Sequence, residues 1–238
     1  MRVPDGMARH SIRHHLDIRS LKRDPLSIYG RISAVYHEKI STIDKARSSA
    51  LSVEGGVMIY TVECGFADPD SEADWNDFYS LEKLPALISV SGFHTSQRFK
   101  ALSGGCPVYL ALHSIDGLDI LTGDEYRQKG GGNFARWQRH ITDWHRNLYG
   151  GLDRAPALGE GDYLVLSATG PEPLIRLGLT PQAMQAVAME KVPEYRWLAK
   201  GERGKTPDIG PLPEGVHVYA PMTAQLTRDN NDAFEKAR

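Results

Sequence analysis

Gly92-Phe93-His94-Thr95-Ser96-Gln97-Arg98-Phe99-Lys100-Ala101-Leu102, then Ser103-Gly104-Gly105, then Cys106-Pro107-Val108-Tyr109-Leu110-Ala111-Leu112-His113-Ser114-Ile115 is the stretch that decides the architecture. Two runs rich in aromatic and branched residues flank a turn of serine and glycines, which predicts a hairpin of strands over Phe93 to Leu102 and Cys106 to Ile115. Side chains alternate across a strand, so Phe93, Thr95, Gln97 and Phe99 fall on one side and His94, Ser96 and Arg98 on the other. Antiparallel pairing through this turn sets Ser96 opposite His113, with His94 and Arg98 as its diagonal neighbours and Tyr109 and Ala111 on the same face.

Upstream of the hairpin, Val57 to Phe66 is a near-continuous apolar run ended by Ala67-Asp68-Pro69-Asp70 and reads as a buried strand. Ser71-Glu72-Ala73-Asp74 has the form of a helix start with an N-cap and an acidic residue three positions on. Trp75, Phe78, Tyr79 and Glu82 then fall on one helical face. Pro85 breaks that helix, so Leu84 to Val90 is expected as a kinked or second short piece. Downstream, Gly117 to Gln128 holds a broken helical pattern, Gly130 to Gly132 interrupt it, and Trp137, Ile141, Trp144 and Leu148 resume a helical stripe. A short last strand is expected near Leu148 to Leu152. The order strand, helix, strand, strand, helix, strand is the α+β, ferredoxin-like βαββαβ arrangement, in which helices cover one sheet face and the other needs a partner.

Residues Trp75-Asn76-Asp77-Phe78-Tyr79, Glu82-Lys83-Leu84-Pro85, Gly92-Phe93, Arg98-Phe99 and Tyr109-Leu110-Ala111-Leu112 resemble, in order and spacing, the dimeric α/β-barrel superfamily and specifically its EthD-like branch. The resemblance covers about residues 58 to 150. It implies that two such sheets pack face to face into a dimeric, or tandem pseudo-dimeric, α/β barrel, so a homodimer is expected. It also implies a bacterial catabolic or secondary-metabolic setting, where relatives serve as accessory proteins, cofactor-free monooxygenases, cyclases, isomerases or lyases. Some barrel relatives use heme, but no histidine here stands in a recognisable ligand motif, and the expectation is no cofactor. The family pattern has histidine in its E-H-[LI]-P motif where this chain has Lys83. A lysine of ordinary pKa stays protonated near neutrality and serves as a base only if burial lowers that pKa strongly.

The remaining chain is less structured as a pattern. Residues 1 to 57 hold ten Lys/Arg against six Asp/Glu, with His10, His14 and His15 and few large apolar residues, and are expected as a poorly ordered extension. Glu54-Gly55-Gly56-Val57-Met58 back-translates to a purine-rich stretch ahead of an ATG, so Met58 is expected as the biological start; N-terminal sequencing of the native product tests this. In residues 160 to 228, Asp162 to Ala168, Tyr195 to Lys200 and Val216 to Leu226 read as strands, and Pro181 to Lys191 as a helix with Thr180 as N-cap. Residues 160–228 are thus either a worn second ferredoxin-like half or an α+β appendage to the domain at 58–152.

Composition narrows the function. With 28 Lys+Arg against 30 Asp+Glu the net charge is -2, which gives no footprint for nucleic acid. No apolar run reaches membrane-helix length. Cys64 and Cys106 are too few for a disulfide framework and lack zinc spacing, which makes the cytoplasm the expected setting and leaves no metal site. The polar set Glu63, His94, Arg98, Tyr109 and His113 is expected to line the inner barrel face, with Trp75 and Tyr79 at its mouth. Its functional reading is a pocket for a small organic molecule, aromatic or enol-like, with His94 or His113 as base, Arg98 as anion stabiliser, and Glu63, Tyr109, Trp75, Tyr79 and Lys83 as substrate-binding residues. The competing readings are a non-catalytic accessory or binding protein, and a structural set in which Glu63 and Arg98 neutralise each other.

Overall fold

The computed structural model describes residues 56–202 and 212–230. Expectations placed on residues 1–55 lie outside the described residues. Strands β1 (Met58–Phe66), β2 (Phe93–Ala101), β3 (Tyr109–Ile115) and β4 (Ile141–Gly150) form the first half, and β5 (Asp162–Ser167), β6 (Gln182–Met189), β7 (Tyr195–Glu202) and β8 (Val216–Pro221) the second. In space the first four run β2-β3-β1-β4, the ferredoxin-like order, and the second four run β6-β7-β5-β8, which is the same order. Antiparallel pairing of β4 with β6 and of β8 with β2 joins the two sheets into a closed eight-stranded barrel. Closure inside one chain satisfies the sheet edges without a second copy. A two-residue strand, β9 (Leu226–Thr227), adds to β2.

The strands have two faces with different contents. Ile59, Phe99, Leu110, Leu112, Tyr149, Leu164, Leu166, Met184, Leu198 and Tyr219 fill the lumen as a packed apolar core. The segment after β4 plugs one end. Leu152, Ala155 and Leu158 join that core, and Gln97 grips the plug by donating to the Leu158 carbonyl at 2.7 Å and accepting from the Leu158 amide at 3.1 Å.

On the outer face of the first half, α1 (Glu72–Phe78) and α2 (Leu84–Ile88) are joined by a π turn over Tyr79–Lys83. The wider turn carries the buried stripe from Trp75 and Tyr79 to Lys83, so Lys83 points inward where an α-helical count places Glu82. Pro85 falls in the first turn of α2, where its missing amide costs least. Ser71 precedes α1 as expected, but its hydroxyl donates to Asp68 Oδ2 at 2.6 Å and does not cap the helix. Short helices α3 (Leu118–Thr122) and α4 (Asp124–Gln128) and a 3-10 segment (Ala135–His140) complete this cover.

Two expected helices are strands. Residues 182–189 carry helix-favouring Gln, Ala and Met, yet Met184 and Ala186 enter the lumen while both edges of β6 find partners; pairing overrides propensity. Trp144 and Leu148 are four apart, an even spacing that shares a face of a strand as well as of a helix. They lie in β4 and face the helices, and a residue with φ 46°, Asp143, shifts Ile141 to the same side. Only one short helix, α5 (Glu172–Arg176), covers the second half among the described residues.

Candidate functional site

The hairpin register is as the sequence implies: Ser96 is opposite His113, and Ser96 Oγ lies 2.8 Å from His113 Nδ1. The face they share is the helix-covered one, and this corrects the expectation that they line the barrel. Opposed residues in an antiparallel pair point the same way. β1 pairs with β3 as Tyr60 with His113, Val62 with Ala111 and Cys64 with Tyr109, so Glu63, opposite Leu110, points into the lumen. The expected set is therefore split. His113, Arg98, Tyr109, Trp75, Tyr79 and Lys83 come together beneath the helices, whereas Glu63 joins Arg196 inside the barrel. His94 is the extra residue of a bulge between Phe93 and Thr95 and reaches Asp116 at 2.5 Å near the surface. The expected Glu63–Arg98 neutralisation is absent, since Glu63 Oε2 pairs with Arg196 at 2.9 Å.

Arg98 is fully buried, and its hydrogen bonds go to neutral oxygens of α1 and the turn that follows it. Its guanidinium donates to the Asn76 carbonyl at 3.0 Å, Ser80 Oγ at 2.8 Å and Asn76 Oδ1 at 2.8 Å, and lies 4.2 Å from the Tyr79 ring centroid and 5.0 Å from that of Trp75. Cation–π contact and three charge-assisted bonds thus hold α1 onto β2. Burial lowers the Arg98 pKa to about 10, still charged at neutrality. Tyr109 Oη donates to Glu72 and accepts from Asn76 Nδ2 at 2.9 Å, which locks the same helix to β3.

Deeper in the layer, Lys83 Nζ donates to the Gly130 carbonyl at 2.5 Å and to the Asn133 carbonyl, 4.8 Å from the Phe134 ring centroid. Burial lowers its pKa to about 8, the condition under which a lysine can exchange protons near neutrality. His113 sits between the rings of Tyr60 and Phe93, each with its centroid 5.5 Å away. Its pKa is pushed down to about 3, first by burial and then by the positive charge of Lys83, so it is neutral. Its Nε2 is buried and has no hydrogen-bond partner. Nearby, Tyr60 and Tyr126 share a hydroxyl contact of 3.2 Å. Tyr60 and Tyr126 were missed from sequence; the β1–β3 register, which puts Tyr60 opposite His113, is the signal that finds the first of them.

The lumen holds a second polar group. Arg196 and Glu63 are both nearly buried, and His217 and Tyr219 on β8 point into the same space, since their β5 partners Leu166 and Leu164 do. None of the second-half residues of this group was foreseen, because their parity follows from pairings between distant segments. Among the described residues, no three His, Cys, Asp or Glu side chains gather as a metal-binding group, and no helix is long and apolar enough to cross a membrane.

No protein family matches the chain, and no curated protein does. Solved structures show weak similarity to the chain. An anthrone oxidase-like protein is 8% identical with a TM-score of 0.45, over 74% of this chain and 94% of its own. A chlorite dismutase variant from Candidatus Nitrospira defluvii is 12% identical with a TM-score of 0.41, over 74% of this chain and 95% of its own. A heme-binding protein from Thermus thermophilus is 9% identical with a TM-score of 0.39, over 77% of this chain and 95% of its own.

Proposed function

We propose that this is a small-molecule protein whose site lies between the helices and the outer face of the first sheet. Its ligand is an aromatic or enol-like compound that reaches His113 and Lys83. The observation that carries the reading is the buried, unpartnered Nε2 of His113, whose ring lies between those of Tyr60 and Phe93 and within reach of the Lys83 charge. A buried polar atom without a partner costs about 1–3 kcal/mol, which a hydrogen-bonding ligand recovers. Lys83 is the group that moves the proton, because its pKa of about 8 lies near working pH. Arg98 and Tyr109 act as positioning residues, being engaged with α1. The reaction class is cofactor-independent acid–base chemistry of the isomerase, cyclase, lyase or monooxygenase type, in a cytoplasmic catabolic setting, and we read residues 160–228 as a second ferredoxin-like half. The EthD-like branch and a homodimer belong to the same proposal.

A second reading, a non-catalytic binding or accessory protein, is favoured by the His113 pKa of about 3, which makes that imidazole a feeble base. Benzoylacetone, an aromatic enol, separates the two. Under the enzyme reading it shifts the His113 Nε2 ¹⁵N resonance, and exchange of its enolic carbon proton into deuterated water is accelerated at least ~100-fold. That acceleration rises through about pH 8 and is lost in Lys83→Met. Binding without acceleration selects the accessory reading. No binding at His113 rejects both.

A further inference from the structure

We infer that residues 129–134 form a strap over the helix-covered layer that opens as a unit, with Lys83 as its latch. The inference rests on the reading above only for what passes beneath the strap. The segment joins α4 to the 3-10 segment and contains Gly130, Gly131 and Gly132. Gly130 has φ 81° and Gly132 φ 71°, a backbone that glycine adopts without strain. Gly131 runs over Tyr126 so closely that a Cβ there would collide with the ring. Glycine gives up more backbone freedom on ordering than any other residue, so three in a row stay in place only where bonds hold them. Among the described residues, Lys83 is the one side chain from outside the two joined segments that hydrogen-bonds the strap's backbone, and it does so twice, at the Gly130 and Asn133 carbonyls. The other bonds are local to α4, from the Gly131 amide to the Tyr126 carbonyl at 2.8 Å and from the Gly130 amide to the Arg127 carbonyl at 3.1 Å.

The strap lies directly above the proposed site. Phe134 at its end is buried, with its ring centroid 5.4 Å from that of Tyr79 and 5.1 Å from that of Trp144. Tyr126 beneath it meets the Tyr60 hydroxyl at 3.2 Å, and the Tyr60 ring lies against His113. The proton on Lys83 sets the balance between shut and open. Under the closed strap burial holds its pKa at about 8, whereas in water a lysine returns to 10.5. The ammonium therefore favours the open strap and the neutral amine the closed one, so opening is easiest below pH 8 and grows harder between about 8 and 10.5. Of the groups around Lys83 and the strap, His113 on β3 is neutral, and burial raises the phenol pKa values of Tyr79 in the π turn, Tyr60 on β1 and Tyr126 on α4. Arg146 on β4 is a fixed cation near Gly132. Lys129 is turned away to Glu125 and the Ser89 carbonyl.

Millisecond hydrogen exchange on the full chain across this pH window, corrected for the intrinsic exchange rate, tests this. The Gly131 amide, bonded to Tyr126, and the Trp137 amide, bonded to the Phe134 carbonyl, report the strap. Below pH 8 both should be protected at least ~10-fold less than the amides of β1 and β3. Above it their protection should rise by about tenfold per pH unit, and that slope should vanish in Lys83→Met. Gly131→Ala, whose methyl props the strap off Tyr126, should lower strap protection at least ~10-fold at every pH and leave the strand amides unchanged. Strap amides as protected as those of the strands, or a slope that survives in Lys83→Met, overturns the inference. A strap that opens in this way while benzoylacetone fails to bind supports the inference and rejects the helix-layer reading alone.

Discussion

The two halves of the barrel share a strand order but not a cover. Outside the first half, α1, α2 and the segments around α4 bury Trp75, Tyr79, Tyr126, Phe134 and Trp137 against β1–β4, and two cations, Arg98 and Lys83, are embedded among them. Outside the second half, α5 covers a smaller and more aliphatic cluster of Val165, Leu174, Ala199, Val216 and Val218, with Tyr163 and Trp197 beside it. In the first-half cover, ring faces and carbonyls replace the water that these two cations lose. The strand frame is thus common property, while chemistry follows what the helices bring.

The sharpest way to break the comparison is at the seam, where Glu63 of the first half meets Arg196 of the second. Arg196→Met leaves Glu63 buried and uncompensated and should cost about 3–5 kcal/mol in urea unfolding, whereas the double variant Arg196→Met with Glu63→Leu should recover most of the loss. If the double variant is as unstable as the single, the pair is not an isolated ion pair and the two halves are coupled through further contacts.

Next in size is a pH effect confined to the first half. Lys83 has its pKa lowered from 10.5 to about 8 by burial, so the unfolded chain binds the extra proton between those values. Stability then rises with pH across that window, because the penalty for burying the ammonium is full below pH 8 and is relieved towards pH 10.5. Relative to Lys83→Met, the native protein should gain about 3 kcal/mol from one end of the window to the other, measured by urea unfolding at each pH. A parallel response of the two proteins would show that Lys83 is not desolvated.

A smaller effect marks the second half. Gly201 on β7 passes beneath Tyr163 so closely that a Cβ would meet the ring at 2.1 Å. Gly201→Ala should destabilise by about 1–3 kcal/mol through overpacking, and Gly104→Ala, whose Cβ meets nothing within 4 Å, should stay within about 0.5 kcal/mol.

How much of this is legible in the sequence depends on the distance between paired segments. The β2–β3 hairpin is closed by a short turn, so the Ser96–His113 pairing follows from counting. The β1–β3 pairing joins segments some fifty residues apart, and an offset of one moves every side chain to the other face, which is why Glu63 was expected beside His113. The choice of face was misread for a related reason. Polar residues at His113 and Arg98 suggested a wet lumen, but Leu110 and Leu112 on the other parity fill it, and the polar face is the one the helices hide. In the second half, residues 182–189 carry helix-favouring composition and take strand form only because neighbours on both sides are available, information that no local window contains.

The finest test of the first-half layer concerns Ser96. Its hydroxyl touches His113 Nδ1 at 2.8 Å, and the Lys83 charge acts on the same ring. The proposed site takes Nδ1 as the donor to Ser96 Oγ, which leaves Nε2 as the acceptor for ligand. Ser96→Ala removes one buried hydrogen bond and should cost about 1 kcal/mol. The informative readout is the tautomer: with Oγ gone, Nδ1 loses its reason to hold the proton, and the His113 ¹⁵N shifts should move towards an even mixture of the two neutral forms. Ser96→Thr, which keeps the hydroxyl, should restore both stability and tautomer. If the shifts of Ser96→Ala match those of the native protein, the Lys83 field alone orients the imidazole, and the hairpin contributes placement but no electrostatic bias.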